Sequence, residues 1–222
     1  MSTFGVMQAD IADELNKTNL GPQIKRAICT AMRRYRDRRL KFNYSSSTFT
    51  SSDGQALYPL PSGYIGDDMV EVLDGSYRDT LTKRDYSWMV EQDNHDSHKS
   101  EPRTYAIIDG DNMRLFPTPD ATANTASGNY TFLVHAHVDL NAPGASDAIT
   151  ICASDSVSNS WMTDGYDLII LEAKMWIYTN VLRGPEAKQE AAFLAPERDR
   201  ALKTLIREYQ RAVASGQMQS SG

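Results

Sequence analysis

Helical spacing of apolar residues occupies both ends of this 222-residue chain and is missing from the stretch between them. A chain so arranged must pack its ends together, because amphipathic helices this short are marginal alone. Met7, Ile11 and Leu15 repeat at i, i+4, and Leu20-Gly21-Pro22 punctuates the segment. After Pro22, the residues Ile24, Ala27, Ile28, Ala31, Met32 and Tyr35 form one helical face. Near the C-terminus, Asp164 is placed as the N-cap of a helix running through Leu168, Ile169, Leu171, Met175, Trp176, Val181 and Leu182. Gly184-Pro185 stops it. A last helix is expected from about Pro196 to Ala214, with Leu202, Leu205, Ile206, Tyr209 and Val213 as its stripe.

The middle has another texture. Ser45 to Ser52 is Ser/Thr-rich around Phe49, and Tyr58-Pro59-Leu60-Pro61 is extended by its prolines. Met69 to Leu73 reads as a strand, and a short helix is expected at about Lys83 to Gln92. Asp109-Gly110 between Arg103–Ile108 and Met113–Phe116 is a hairpin signal. Asn129 to Val138 alternates as a strand does, while Asn141 to Ser160 is a long Ala/Ser/Asp/Gly loop with one possible strand at Ala148–Cys152. The expected fold is therefore α+β. An antiparallel helical bundle from both chain ends (1–44 and 162–214) would carry a β-rich insertion (45–161) containing a long loop near 141–160. A flexible tail follows at 215–222.

Charge is unevenly laid out. Residues 24–41 hold eight basic residues against one acid, residues 53–172 hold twenty acids against six bases, and residues 173–222 are again basic. The overall net charge of −6 hides this basic–acidic–basic order. Arg33, Arg34, Arg36, Arg38 and Arg39 cover most of the non-core arc of the second helix, and Arg207 and Arg211 lie on the last one. Such a run suits docking on an acidic protein surface, contact with nucleic-acid phosphates, or a solvated helix face. Tyr35 sits on the apolar face, so the second helix offers no aromatic platform for single strands.

Sequence motifs give no purchase for catalysis. There is no phosphate-binding glycine loop, H-E-x-x-H, C-x-x-C or G-x-S-x-G. His95 and His98 share a polar segment, and His135 and His137 share one strand face; neither pair makes a metal set without further ligands. Asp109, Asp111 and Asn112 superficially match a calcium loop, but Arg114 stands where that loop requires glycine. Three Asn-x-Ser/Thr matches are ascribed to chance. Cys29 and Cys152 make no disulfide framework and suit a reducing compartment. The first ten residues lack the basic start and apolar core of a secretory signal, and no run of eighteen apolar residues occurs. No catalytic residue, cofactor or metal is expected, nor a membrane. His135 and His137 remain the candidates should an enzyme be hidden here.

The order of these features resembles the head-to-tail adaptor (connector) proteins of tailed bacteriophages. The resemblance is carried by the basic helix Ile24–Phe42, by Tyr58-Pro59-Leu60-Pro61 and by Arg84-Asp85-Tyr86-Ser87-Trp88. Further along it is carried by Pro102-Arg103-Thr104-Tyr105-Ala106-Ile107 and Met113-Arg114-Leu115-Phe116-Pro117-Thr118-Pro119. It closes with a Trp161–Tyr178 helix and an Arg-rich final helix, covering roughly residues 8–213. It implies a structural, non-enzymatic virion protein, made in the host cytoplasm and placed at the head–tail junction. Twelve copies would form a ring binding the portal protein on one side and tail proteins (nozzle or tail tube) on the other. Genomic DNA would pass through the lumen without sequence-specific contact. Arg33, Arg34, Arg36, Arg38, Arg39, Arg207 and Arg211 are the expected partner-interface residues. A tail-completion or stopper protein, and a DNA-binding protein using the arginine helix, are the alternatives.

Overall fold

The structure is a computed structural model and describes residues 2–93, 97–123, 125, 128–140, 154–156 and 158–215. The fold is α+β. The chain divides into two compact units, Met1–Asn43 with Asp139–Ser221, and Tyr44–Val138.

The first unit is helical. Helix α1 (Phe4–Glu14) opens on Thr3, whose side chain accepts a hydrogen bond from the Val6 N–H, and it buries Phe4, Met7 and Ile11. Helix α2 (Gly21–Tyr35) takes Pro22 in its first turn, where the missing N–H costs nothing. It buries all six residues of the predicted stripe, Ile24 through Tyr35. Helix α3 (Tyr86–Gln92) belongs to the second unit. Helix α4 (Ser160–Thr163) is capped by Asn159 and buries Trp161 and Met162. Helix α5 (Tyr166–Ile177) buries Leu168, Ile169, Ile170, Ala173 and Ile177. Asp164 ends α4, and Gly165 takes the N-cap position of α5 that Asp164 was expected to hold. A Cβ on Gly165 would come within 2.9 Å of the Trp161 ring, so only glycine allows this close join.

A π-helical turn at Tyr178–Leu182 ends in left-handed Arg183, and Gly184 begins helix α6 (Pro185–Ala214). The Gly-Pro break is where the sequence put it. The last helix is longer than expected: it starts at Pro185 and runs through Pro196 instead of starting there. The residues between, rich in Glu, Ala, Gln and Lys, are strong helix formers, and they outweigh the one backbone donor that Pro196 lacks. Helix α2 packs on α5, α5 on α6, and α1 on both α2 and α5. Cys29 in α2 is disulfide-bonded. This corrects the expectation from sequence distance alone, which says nothing of distance in space.

The second unit holds two four-stranded sheets. One has the order β1 (Tyr44–Thr50), β8 (Thr131–Val138), β3 (Tyr64–Asp74), β4 (Tyr77–Thr80) and is antiparallel throughout. The other runs β2 (Leu57–Pro59), β7 (Asn112–Phe116), β6 (Thr104–Ile108), β5 (Thr82–Lys83). Helix α3 (Tyr86–Gln92) lies between β5 and β6 in sequence and packs on β6. The predicted Asp-Gly hairpin joins β6 to β7, with Asp109 at φ 54° and Gly110 at φ 73°. One core serves both sheets. Phe132, Val134 and Ala136 of β8 meet Val70 and Val72 of β3, Tyr105 of β6, and Met113 and Leu115 of β7. The alternation along β8 sends Leu133, His135 and His137 to the opposite face. The Ser/Thr-rich segment around Phe49 is strand β1, and Phe49 stacks on Phe132 at 5.0 Å. The predicted strand at Ala148–Cys152, most of the long 141–160 loop, His95 and the tail beyond Ser215 lie outside the described residues.

Candidate functional site

The arginine run occupies the C-terminal end of α2 and the turn after it. Arg33, Arg36, Arg38 and Arg39 are exposed, as is Lys41. Only Arg33 and Arg34 lie within α2; Arg36, Arg38, Arg39 and Lys41 follow its end at Tyr35, which corrects the expectation of a basic helix running on to Phe42. Arg36 meets Asp37 at 3.4 Å, an exposed pair of little energetic weight. Arg33 and Arg38 make no ion pair with any described residue.

Arg34 differs. Although its side chain is 60% exposed, its guanidinium bonds Glu172 of α5, which is 7% exposed. Glu172 also accepts the Tyr35 hydroxyl at 2.8 Å and faces Arg198 of α6 at 3.4 Å. Burial, reinforced by the bond to Glu172, pushes the Tyr35 hydroxyl far above its ordinary pKa. One carboxylate thus ties α2, α5 and α6. Sequence reasoning missed it, although the signal was there: Glu172 interrupts an apolar run four residues after Leu168.

Arg207 and Arg211 are exposed on α6. Arg211 and Lys41 line a depression of about 580 Å³ with Glu208, Ala212 and Ala214. A larger groove, of about 620 Å³, runs between α5 and α6. Its floor is apolar, from Leu168, Ile170, Leu171, Ala201 and Leu205, and its rim is charged. The rim had no signal in the sequence, because its acids come from three separate segments.

In the β unit several titratable side chains are bonded to one another. His135 contacts the Tyr44 hydroxyl through Nδ1 at 2.6 Å and Glu71 through Nε2 at 2.8 Å, and Arg78 adds 3.1 Å to Glu71. His137 lies 3.2 Å from Asp68, which sits at a register shift in β3. Asp67 accepts from Lys83 at 2.6 Å and from the Tyr105 and Tyr64 hydroxyls. Burial alone would raise the Asp67 carboxyl; these three donors overcome it and hold the group below the usual carboxylate range. His135 and His137 share a face as predicted; His135 meets Glu71 and His137 meets Asp68. Among the described residues no group of three or more His, Cys, Asp or Glu is arranged to hold a metal ion, and no helix is long and apolar enough to cross a membrane.

Residues 2–220 match the family model described as SU10 adaptor protein. No curated protein matches the chain.

Proposed function

The chain belongs to the SU10 adaptor protein family, a phage adaptor family, and we propose that it works as a structural ring at the head–tail junction of the virion. Twelve copies sit beneath the portal protein, receive tail proteins on the other side, and leave a lumen for the genome. The family match over nearly the whole chain carries this reading. Support comes from exposed arginines at two places in the helical unit, the end of α2 and the C-terminal half of α6. Exposed like charges so dense repel one another unless a partner of opposite charge covers them. Arg207 and Arg211, with the tail after them, reach the portal. The α2 arginines serve assembly. The passing DNA needs no sequence-specific contact, so no base-reading element is required.

Sedimentation of the purified protein, alone and mixed with the portal ring encoded in the same genome, tests this. The expected result is a small free species that shifts wholly onto the portal at about one copy per portal subunit. A stable small species that ignores the portal and instead binds duplex DNA with a steep salt dependence would replace the adaptor reading with a DNA-binding one. Deleting residues 216–222 is expected to weaken docking; unchanged docking removes the tail from the interface.

A further inference from the structure

The groove between α5 and α6 has chemistry that the same chain can satisfy. Its rim carries five acids, Glu14, Asp164, Asp167, Glu197 and Glu208, against two bases, Lys174 and Arg200. Lys174 is already tied to Glu14. Asp167, Glu197 and Glu208 are exposed and make no ion pair with any described residue. The floor is apolar. An occupant should therefore carry several positive charges on long apolar stems, which lie along such a floor while the charged heads reach the rim.

The end of α2 fits that description: Arg33, Arg36 and Arg38 are exposed and clustered within six residues. We propose that this groove takes the basic end of α2 from a second copy of the chain. The inference rests on the adaptor reading, which requires several copies side by side. Donor and acceptor are different residues of one helical unit, so each copy offers both. That is a heterologous, head-to-tail contact, the kind that closes into a ring. The three guanidinium groups match in number the three rim carboxylates, Asp167, Glu197 and Glu208, and planar guanidinium is suited to carboxylate. Charge complementarity would set register and speed assembly.

Two paired substitutions test it in the full-length protein. One chain carries Arg36→Glu with Arg38→Glu; the other carries Asp167→Lys with Glu197→Lys. Circular dichroism confirms that each is folded. Should the lysine chain fail to fold, Asp167→Asn with Glu197→Gln replaces it as a test of loss. Copies retained on the portal ring are counted by sedimentation. Each chain alone is expected to load at least about tenfold less than wild type. The four substitutions combined in one chain are expected to restore loading. If both two-substitution chains fold, an equimolar mixture of them should load as well, since each reversed patch then meets a reversed groove.

Loading of either two-substitution chain at the wild-type level overturns the proposal. So does a loss that neither the combined chain nor the mixture restores; that result would assign these residues to the portal and leave the adaptor reading standing. A wild-type chain that loads on no portal would sink the adaptor reading and this contact with it.

Discussion

Glu172 shows how one side chain can hold three helices. It is buried at the centre of the helical unit and accepts from Arg34, Tyr35 and Arg198. Removing the acceptor leaves the Tyr35 hydroxyl without its buried partner and two guanidinium groups without their shared counter-charge. Breaking a buried pair by deleting one partner costs roughly 3–5 kcal/mol. Arg34 is largely exposed and water would solvate it, so Glu172→Ala is expected to cost about 3 kcal/mol in urea unfolding, and Tyr35→Phe about 1 kcal/mol. Equal small losses for both would show that the carboxylate is not the organising group. Asp67 makes a matching case in the β unit. Its folded pKa is depressed below its unfolded value, so its stabilisation is present above about pH 4 and is lost as pH falls through the folded value. Unfolding followed from pH 6 to pH 2 should therefore show a steeper loss for the wild type than for Asp67→Asn. Parallel curves would place the acid sensitivity elsewhere.

Helix α6 tests whether local preference or tertiary packing decides an element. It holds Pro196 inside thirty helical residues. An interior proline removes one hydrogen bond and crowds the preceding turn, at about 3 kcal/mol in an exposed helix. Pro196→Ala is expected to raise the melting temperature without changing the helical content. A lowered one would mean that the proline's backbone geometry seats Arg198 on Glu172. The sequence revealed the buried face of α2, because six apolar residues at helical spacing leave no other face to bury, but it ran the helix on to Phe42, whereas the helix ends at Tyr35 and Arg36, Arg38 and Arg39 lie beyond its last turn. It revealed the β6–β7 hairpin for an equally local reason, since Asp109-Gly110 accepts the positive φ values of that turn. It misjudged α6, where a proline that commonly starts a helix sits mid-element, and it left β1 without an assignment, because serine and threonine carry weak apolar alternation around Phe49. The Glu172 and Asp67 clusters were out of reach. Their members lie up to 138 residues apart, and only the fold brings them together.

Across the molecule, blocks of charge counted along the chain do not coincide with surfaces. The groove acids Asp164 and Asp167 fall in the acidic stretch of the sequence, yet they belong to the helical unit, beside Glu197 and Glu208 of the basic C-terminal stretch. Charge complementarity is thus available within one unit and does not require the β unit. The β unit is set apart in another way. Its core residues all fall between Tyr58 and Ala136, and Tyr44 lies opposite His137 in antiparallel register. The chain therefore enters and leaves this unit at neighbouring backbone positions, as an inserted domain does. A segment of 44–138 with a shared two-sheet core buries enough apolar surface to fold alone at this size. Expressed alone, it is expected to melt cooperatively and to retain near-ultraviolet signal from Tyr58 and Tyr105. The complementary chain, with 44–138 replaced by a short Gly/Ser linker, should keep its helical circular dichroism, because the α2–α5–α6 contacts and the Glu172 cluster lie entirely within it. A fragment that stays unfolded would show that the two-sheet core depends on residues outside it. If both pieces fold, loading each on the portal would then separate the unit that assembles from the unit that does not.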